Sequence, residues 1–371
     1  MRKIVLASVL KPVDDTRVYE KFGKSLAKLE DTEVIIFGTQ SNDASLYKLE
    51  KNVRFEPYDI NEKSTRSNVG RLFHALLKKE QPESVIIHTI ELLPFLVWYK
   101  ITNKNAGIYY DILENYPLNF TAQSYYSNTF KYLLAFGANA IEKLSFPFID
   151  YIFSAEKTYL EEKSLPKDKT IVLENKYVPI LPKIEKVKSE TVHIIFCGTL
   201  SKAFGVMEFL NFVANIGSCK SQLNIKFKII GKAYEEDVIK RIEKYAEKYS
   251  IETVGITAFV PHLTIIKAMQ EADFVALPYP SNPSTQHCIP TKMYECMAMG
   301  IPMLIQNNPF WERITTPYQA GVFMDFNSCN IQELIDRIKV FEAYKNGINK
   351  NALWKTEEQK LLNIYSRKNN Q

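Results

Sequence analysis

The chain has 371 residues, which is longer than one ordinary domain and predicts two. Hydrophobic residues make up 46% of the sequence and charged residues 24%, a globular composition that excludes a disordered or fibrous protein. The net charge of +5 is too small for a dedicated nucleic-acid-binding protein. It leaves room for a basic face toward an anionic membrane or a phosphorylated ligand.

The beginning of the chain and its cysteines both favour a cytoplasmic protein. The apolar run at residues 1–8 is soon interrupted by Lys11 and by Asp14 and Asp15, so it predicts a first strand rather than a signal peptide. An odd number of cysteines without a C-x-x-C pair indicates reduced thiols and argues against a disulfide framework or a structural zinc site. These cysteines are Cys197, Cys219, Cys288, Cys296 and Cys329.

Short β-branched or aromatic runs alternate with helical patterns in the first half of the chain. Residues 16–30 predict a helix with Val18, Phe22 and Leu26 on one face and Asp15 as its N-cap. Runs that are apolar on both faces are typical of parallel strands covered by helices. They occur at residues 4–8, 34–38, 84–88, 108–112, 151–154 and 171–173.

A second alternating series follows a break rich in proline and charge at about residues 174–190. It contains a predicted helix at 235–249 and predicted strands at 192–197, 226–230, 258–260, 274–278, 303–306 and 322–325. Two successive series predict an α/β protein with two doubly wound, Rossmann-like domains facing across a cleft. We expect these domains at residues 1–175 and 191–345, joined by a linker at 176–190. A C-terminal helix within 352–371 is expected to pack back onto the first domain.

Residues 272–306 contain the most informative pattern, because ligands bind beyond the carboxyl ends of parallel strands. A predicted strand leads through a proline-containing loop into a helix that begins near Thr291 and ends before Gly300. Backbone N–H groups from Ile289 to Lys292 would point out of the start of this helix, where its dipole favours an anion.

Two charged residues in this helix have two interpretations each. Lys292 is a cation in the first turn, where it opposes the helix dipole but suits a bound diphosphate. The carboxylate of Glu295, one turn on, could accept hydrogen bonds from ribose hydroxyls. The alternative is that Lys292 and Glu295 form an i,i+3 pair on the surface.

The sequence at residues 290–302, PTKMYECMAMGIP, resembles the P-x-K-x-x-E-x-M-A-x-G-x-P signature of GT-B glycosyltransferases. It is most similar to the retaining glycosyltransferase family 4 group. Further similarities to this family occur at residues 110–117, 173–176, 196–200, 229–231 and 259–262. The resemblance implies the GT-B fold, with a nucleotide-sugar donor bound by the second domain and an acceptor bound by the first.

The resemblance also implies the residues that bind the donor, although the chain departs from the family pattern. The first Glu of the usual E-x7-E motif is His287 here. The family's Arg and Lys that hold the diphosphate align with Thr199 and Phe204, neither of which is basic, and Lys202 is a nearby replacement. The implied donor-binding residues are Gly198, Thr199, Lys202, Gly231, Pro261, Ile289, Pro290, Thr291, Lys292 and Glu295.

The reaction implied by the resemblance is transfer of a sugar from a nucleotide-diphosphate sugar to an acceptor hydroxyl with retention. Its transition state would resemble an oxocarbenium ion, and the departing diphosphate would be stabilised by the helix start, Lys292 and Lys202. The chain has no Asp-x-Asp sequence, so we expect no metal and no other cofactor.

The implied catalytic residues are Glu114, His287 and Lys292. The alternatives are an N-cap or ion pair for Glu114 and a structural role in the loop for His287.

Three residues of the first half are predicted to face an acceptor or a phosphate. They are Asp15, which is also a helix cap, Arg17 and Asp111. No role is predicted for His74, His88 or His193, which lack metal-ligand spacing.

Residues 66–79 form a basic amphipathic pattern, and residues 120–148 are rich in aromatic residues. Both suit peripheral docking on an anionic membrane, and the alternative is ordinary helices packed on the sheet. Docking would favour as acceptor a lipid-linked or surface polysaccharide precursor, such as that of capsule, O-antigen or exopolysaccharide. No nucleic-acid partner is expected. The rival functions are a nucleotide-sugar epimerase or hydrolase and a non-catalytic sugar-nucleotide-binding subunit.

Overall fold

The computed structural model describes residues 1–41, 49–59, 63–122, 127–182, 184, 189–218, 223–283 and 285–368. The chain divides into two compact units. The first consists of Met1–Val178 and Trp354–Gln371, and the second of Pro179–Leu353. Each unit contains a parallel sheet, and helices lie between most of its successive strands. The α/β class with two doubly wound sheets, predicted from the alternating pattern, is confirmed.

The sheet of the first unit has seven strands among the described residues, in the order β3-β2-β1-β4-β5-β6-β7. The strands are β1 (Arg2–Pro12), β2 (Thr32–Thr39), β3 (Val53–Tyr58), β4 (Ser84–Ile87), β5 (Gly107–Ile112), β6 (Tyr151–Ser154) and β7 (Thr170–Val172). A π-helix (Thr16–Gly23) continues directly into α1 (Lys24–Leu26). The other helices before the second unit are α2 (Lys63–Glu80), α3 (Leu93–Thr102), α4 (Tyr116–Ala122), α5 (Asn128–Ser145) and α6 (Tyr159–Glu162).

Two features of the first unit differ from the predictions. Strand β3 was not predicted, because Arg54, Glu56 and Pro57 interrupt its apolar pattern. It lies at the edge of the sheet, where a proline is tolerated. The helix predicted for residues 16–30 ends at Leu26 instead. Its predicted N-cap is confirmed, since the Asp15 carboxylate accepts hydrogen bonds from two backbone N–H groups of the first turn.

The sheet of the second unit has six strands among the residues described, in the order β10-β9-β8-β11-β12-β13. They are β8 (Thr191–Thr199), β9 (Asn224–Lys232), β10 (Glu252–Ile256), β11 (Phe274–Leu277), β12 (Met303–Gln306) and β13 (Gly321–Met324). The helices are α7 (Val206–Gly217), α8 (Glu236–Tyr249), α9 (His262–Glu271), α10 (Thr291–Met299), α11 (Pro309–Thr315) and α12 (Ile331–Val340). The strand predicted at 258–260 is wrong. The chain turns instead after Gly255 and Ile256, which both have positive φ.

The C-terminal helix α13 (Lys355–Lys368) belongs to the core of the first unit. The backbone N–H of Trp354 donates to the carbonyl of Tyr177 at 2.8 Å, and its indole N–H donates to Ser25 Oγ at 3.0 Å. The indole also packs against Phe22, with ring centroids 5.7 Å apart. Trp354 therefore fixes the start of α13 by both packing and hydrogen bonds. No helix among the described residues is long and apolar enough to cross a bilayer.

We expect Trp354→Ala to lower the free energy of unfolding by about 3–5 kcal/mol, because it leaves a cavity where a buried indole packs. Urea unfolding followed by far-UV circular dichroism would measure the loss. The matched control is Trp98→Ala, which removes a tryptophan that is 57% exposed and should change stability by less than about 0.5 kcal/mol. Equal losses in the two variants would contradict this role of Trp354.

Candidate active site

Two glycines bring the ends of β8 and β9 together in the second unit. Gly198 and Gly231 are paired in the sheet register and have φ of +114° and +148°. A Cβ atom on Gly231 would lie 1.8 Å from the carbonyl oxygen of Gly198. No other residue tolerates this approach. At Gly198 and Gly231, both strands therefore present backbone atoms instead of side chains, and we call this surface the backbone floor. Both glycines are among the predicted donor-binding residues, and Thr199 follows as an exposed residue at the end of β8.

The turn after β8 also depends on a glycine. Gly205, with φ of +86°, precedes α7, and a Cβ atom there would lie 2.0 Å from the carbonyl oxygen of Pro278. Lys202 in this turn is exposed, and its Nζ lies 2.5 Å from the Asp237 carboxylate and 3.5 Å from that of Glu235. The hydrogen bond to Asp237 raises the pKa of Lys202. A diphosphate contact of Lys202 stays a prediction.

Helix α10 begins and ends as predicted. Pro290 is its N-cap and provides no side-chain hydrogen bond to the helix start. Gly300 ends the helix in the left-handed region, with φ of 73°, as expected of a C′ glycine. Ile289, Pro290 and Thr291, all predicted to bind the donor, are partly exposed at this start.

Lys292 and Glu295 form the predicted ion pair, but its carboxylate is buried and the side chain of Lys292 is only 13% exposed. Lys292 Nζ donates to Glu295 Oε2 at 2.7 Å, and Glu295 is 2% exposed. The alternative interpretation is therefore right that the two residues form a pair and wrong that this pair lies on the surface. The Lys292 side chain passes over the backbone floor, since a Cβ built on Gly198 would lie 3.6 Å from Lys292 Cε.

His262, at the start of α9, completes this group. Its Nε2 lies 2.9 Å from Glu295 Oε1, so both carboxylate oxygens have partners. The neighbouring Pro261 is the N-cap of α9. His262 was not among the predicted site residues. The similarity at residues 259–262 pointed to its loop, but its partner lies 33 residues further along the chain.

Electrostatics keep this buried pair ionised. Burial raises the pKa of the Glu295 carboxyl, but the Lys292 ammonium and the contact with His262 outweigh it, and the pKa falls to about 2. Burial lowers the pKa of Lys292, but the Glu295 carboxylate reverses the effect and raises it above its usual value. Burial raises the pKa of the nearby Cys197 thiol to about 12, so Cys197 is no nucleophile at neutral pH.

The loop before α10 is held against α11. The Trp311 indole donates to the carbonyl of Cys288 at 2.8 Å, and the Asn308 amide donates to the carbonyl of Gln286 at 3.0 Å. His287 is exposed on this loop, and its ring lies edge-on to Phe310 with centroids 6.1 Å apart. The loop therefore presents His287 on a fixed backbone. A catalytic role for His287 stays a prediction.

The first unit contains a separate buried ionic group at the ends of β4 and β5. Arg17 donates twice to the Asp111 carboxylate, at 2.7 Å each, and once to the carbonyl of Leu173 at 2.9 Å. His88, for which no role was predicted, contacts the same carboxylate at 2.7 Å. Burial raises the pKa of Asp111, but the Arg17 guanidinium and His88 hold it well below its usual value.

This group limits what its members can contact. Arg17 is 1% exposed, and its Nη1 atom has no hydrogen-bond partner among the described residues. A phosphate contact of Arg17 therefore stays a prediction that would use this remaining donor. Asp15 caps the π-helix and lies 3.2 Å from Lys11 Nζ. Glu114 is exposed after β5 and accepts from the Asn119 amide at 2.9 Å.

Solved structures share the fold of this chain. Sucrose-phosphate synthase from Thermosynechococcus elongatus has a TM-score of 0.69 and 15% identity over 99% of both chains. HepE from Anabaena, in complex with UDP-glucose, has a TM-score of 0.66 and 12% identity over 99% of this chain and 100% of that one. UDP-GlcNAc 2-epimerase from Neisseria meningitidis, bound to UDP-GlcNAc, has a TM-score of 0.63 and 12% identity over 98% of this chain and 100% of its own.

The two parallel sheets and these likenesses define a protein of the GT-B fold, as predicted. Residues 179–359 match the family model of the glycosyl transferases group 1. This range covers the whole second unit, Pro179–Leu353. The second unit therefore carries a domain that matches this family, and the protein is a glycosyltransferase. No curated protein matches the chain. No group of three or more metal-ligating side chains occurs in the described part of the chain.

We expect Glu295 to contribute stability that is present above its usual pKa of 4.5 and is lost as the pH falls toward about 2. The stability difference between wild type and Glu295→Gln should therefore narrow by about 2 kcal/mol between about pH 6 and about pH 3. Urea unfolding across this range measures it, and other acids cancel in the difference. Glu342→Gln, at an exposed Lys345 pair, is the matched control and should show no narrowing. A constant difference for Glu295→Gln would contradict the lowered pKa.

Proposed function

We propose that the protein is a retaining glycosyltransferase that moves a sugar from a nucleotide-diphosphate sugar to an acceptor hydroxyl. The observation that carries this proposal is the position of Lys292. It lies in the first turn of α10, whose N-cap makes no side-chain hydrogen bond to the helix start, and it passes over the backbone at Gly198. A helix start and a cation beside a surface without side chains favour a diphosphate.

The arrangement suits the charge that develops during transfer. As the anomeric carbon becomes oxocarbenium-like, the departing diphosphate gains negative charge. An ammonium group has three donors, and Glu295 accepts from Lys292 Nζ. The other donors and the backbone N–H groups of the helix start can bind the departing oxygens, already oriented before the reaction. No metal is required for this stabilisation.

The nucleotide would lie further along the same site. Each oxygen of a carboxylate has more than one acceptor site, so Glu295 can accept from ribose hydroxyls while keeping Lys292 and His262. HepE, of the same fold, is described in complex with UDP-glucose, which supports a nucleotide sugar as donor. Gly231 and Pro261 would contact the same donor, and His287 would contact its sugar.

We propose as acceptor a lipid-linked or surface polysaccharide precursor, with an anionic membrane as a further partner. In the first unit, Glu114 would orient the acceptor hydroxyl, because it is exposed at the carboxyl end of β5. Asp15, Arg17 and Asp111 would support this side. The epimerase alternative has one observation in its favour, since the fold is shared with UDP-GlcNAc 2-epimerase.

We expect Lys292→Met to lower the affinity for nucleoside diphosphates at least about tenfold, since a hydrogen bond to a charged group is lost. Isothermal titration calorimetry with a panel of nucleoside diphosphates measures this. The double variant Lys292→Met/Glu295→Gln leaves no unpaired buried charge and separates binding from misfolding. Lys345→Met, from an exposed i,i+3 pair with Glu342, is the matched control. Full affinity in both Lys292 variants would reject the diphosphate site.

The reaction class is tested by incubating the protein with a nucleotide sugar, with and without a lipid-linked saccharide acceptor. We expect release of nucleotide to need the acceptor, and NMR to show the donor's anomeric configuration in the product. Equal release without acceptor would favour a hydrolase, and interconversion of the donor sugar would favour an epimerase. Donor binding without any turnover would favour a non-catalytic subunit.

A further inference from the structure

Helix α5 of the first unit is apolar on two sides. Its inner side buries Ala135 and Ala138. Its outer side carries large apolar side chains that are 63–74% exposed, namely Tyr132, Leu133, Phe136 and Leu144. A helix that is apolar all around normally has both sides covered, so the outer side of α5 is typical of a surface that meets another apolar medium.

The neighbouring helix extends this surface. Trp98 and Ile101, at i and i+3 on α3, are 57% and 50% exposed, and α3 packs beside α5. Nothing lies within 4 Å of the position that a Cβ atom on Gly137 would take. We call this surface the aromatic face, and it consists of Trp98, Ile101, Tyr132, Leu133, Phe136 and Leu144.

Among the described side chains of α2, α3 and α5, the charges that reach solvent are all positive. The two acids of these helices are buried. Glu80 pairs with Lys3 and Arg54, and Glu142 pairs with Lys163. The basic side chains are exposed or half-buried, and they are Arg71, Lys78, Lys79, Lys100, Lys131 and Lys143. The exposed charges on the described side chains of these helices are therefore all basic, and one of them, Lys100, pairs with the half-buried Asp150 after α5.

We propose that the aromatic face docks on an anionic lipid bilayer, with Leu133, Phe136 and Leu144 among the acyl chains. Helices bind in the plane of a membrane through an apolar side flanked by lysines, and Trp and Tyr favour the headgroup level. Anionic headgroups supply the negative charge that the exposed side of these helices lacks. This inference extends the proposed function, because a docked enzyme meets a lipid-linked acceptor at the membrane.

A second copy of the chain is a poorer occupant of the aromatic face. A two-fold symmetric interface brings the same patch of two molecules together. Lys131 and Lys143 would then face the lysines of the other copy without an exposed acid between them on α3 or α5. Like charges across an interface oppose association, whereas anionic headgroups pair with both lysines.

Trp98 provides a direct test with the full chain. The sequence has three tryptophans, and Trp311 and Trp354 are each 3% exposed, so a change in fluorescence on docking comes from Trp98. We expect a blue shift on adding vesicles of phosphatidylglycerol and phosphatidylcholine, and little with phosphatidylcholine alone. Trp98→Phe should lose the shift and still co-sediment with vesicles. No shift and no co-sedimentation with the anionic vesicles would overturn the proposal.

The double variant Leu133→Ser/Phe136→Ser should weaken vesicle partitioning about tenfold or more, because two apolar side chains no longer leave water. The matched control is Val340→Ser on α12, which is 79% exposed in the second unit and should partition as wild type. Equal weakening in both variants would overturn the proposal. So would a blue shift that grows with protein concentration without vesicles, together with dimers in sedimentation.

The docking proposal and the donor-binding proposal are tested by independent measurements. Vesicle partitioning is measured without nucleotide, and nucleotide affinity is measured without vesicles. Normal nucleotide affinity with no partitioning would reject the aromatic face as a docking surface and leave the proposed transfer intact. Normal partitioning with no nucleotide affinity would reject the proposed transfer and leave the docking surface intact.

Discussion

The buried ion pair of Lys292 and Glu295 is the interaction on which the candidate active site depends. Two charges removed from water are tolerated only when each is paired and hydrogen-bonded, and here Glu295 has both Lys292 and His262 as partners. The pair fixes the Lys292 ammonium over the ends of β8 and β9. Those two ends can approach each other only because Gly231 has no side chain. The relative positions of α9, α10 and the ends of β8 and β9 therefore depend on one another.

The first unit also contains a buried carboxylate that is paired with a cation and a histidine. Arg17, Asp111 and His88 bury a cation, a carboxylate and an imidazole at the ends of β4 and β5. Arg17 also donates to the carbonyl of Leu173, so the group ties the π-helix to the strands across the sheet. Such a group makes the position of the π-helix specific, because a shift would leave a buried charge unpaired. It also fixes the backbone from which Asp15 and Glu114 project.

The sequence predicts features that depend on neighbouring residues better than features that depend on distant ones. The bounds of α10 follow from Pro290 and Gly300, which act within one turn. Strand β12 follows from a short apolar run between two loops. In contrast, β3 carries charges and a proline because it is an edge strand, and its position appears only when the sheet is assembled. The partners of Glu295 and Asp111 include histidines 33 and 23 residues away, and no local pattern connects them.

Lys202 and Lys292 differ in the residues that hold them. This difference matters because Thr199 and Phe204 stand where the family has basic residues. Lys202 pairs with Asp237 on the surface, where the two side chains are 51% and 62% exposed. Such a pair contributes little to stability, so an incoming anion can replace Asp237 at small cost. Lys292 is held by the buried carboxylate of Glu295. A site built in this way has one fixed cation at the helix start and one that is free to move. In the proposed transfer, the fixed cation would orient the diphosphate, and Lys202 would add its charge once the diphosphate is bound.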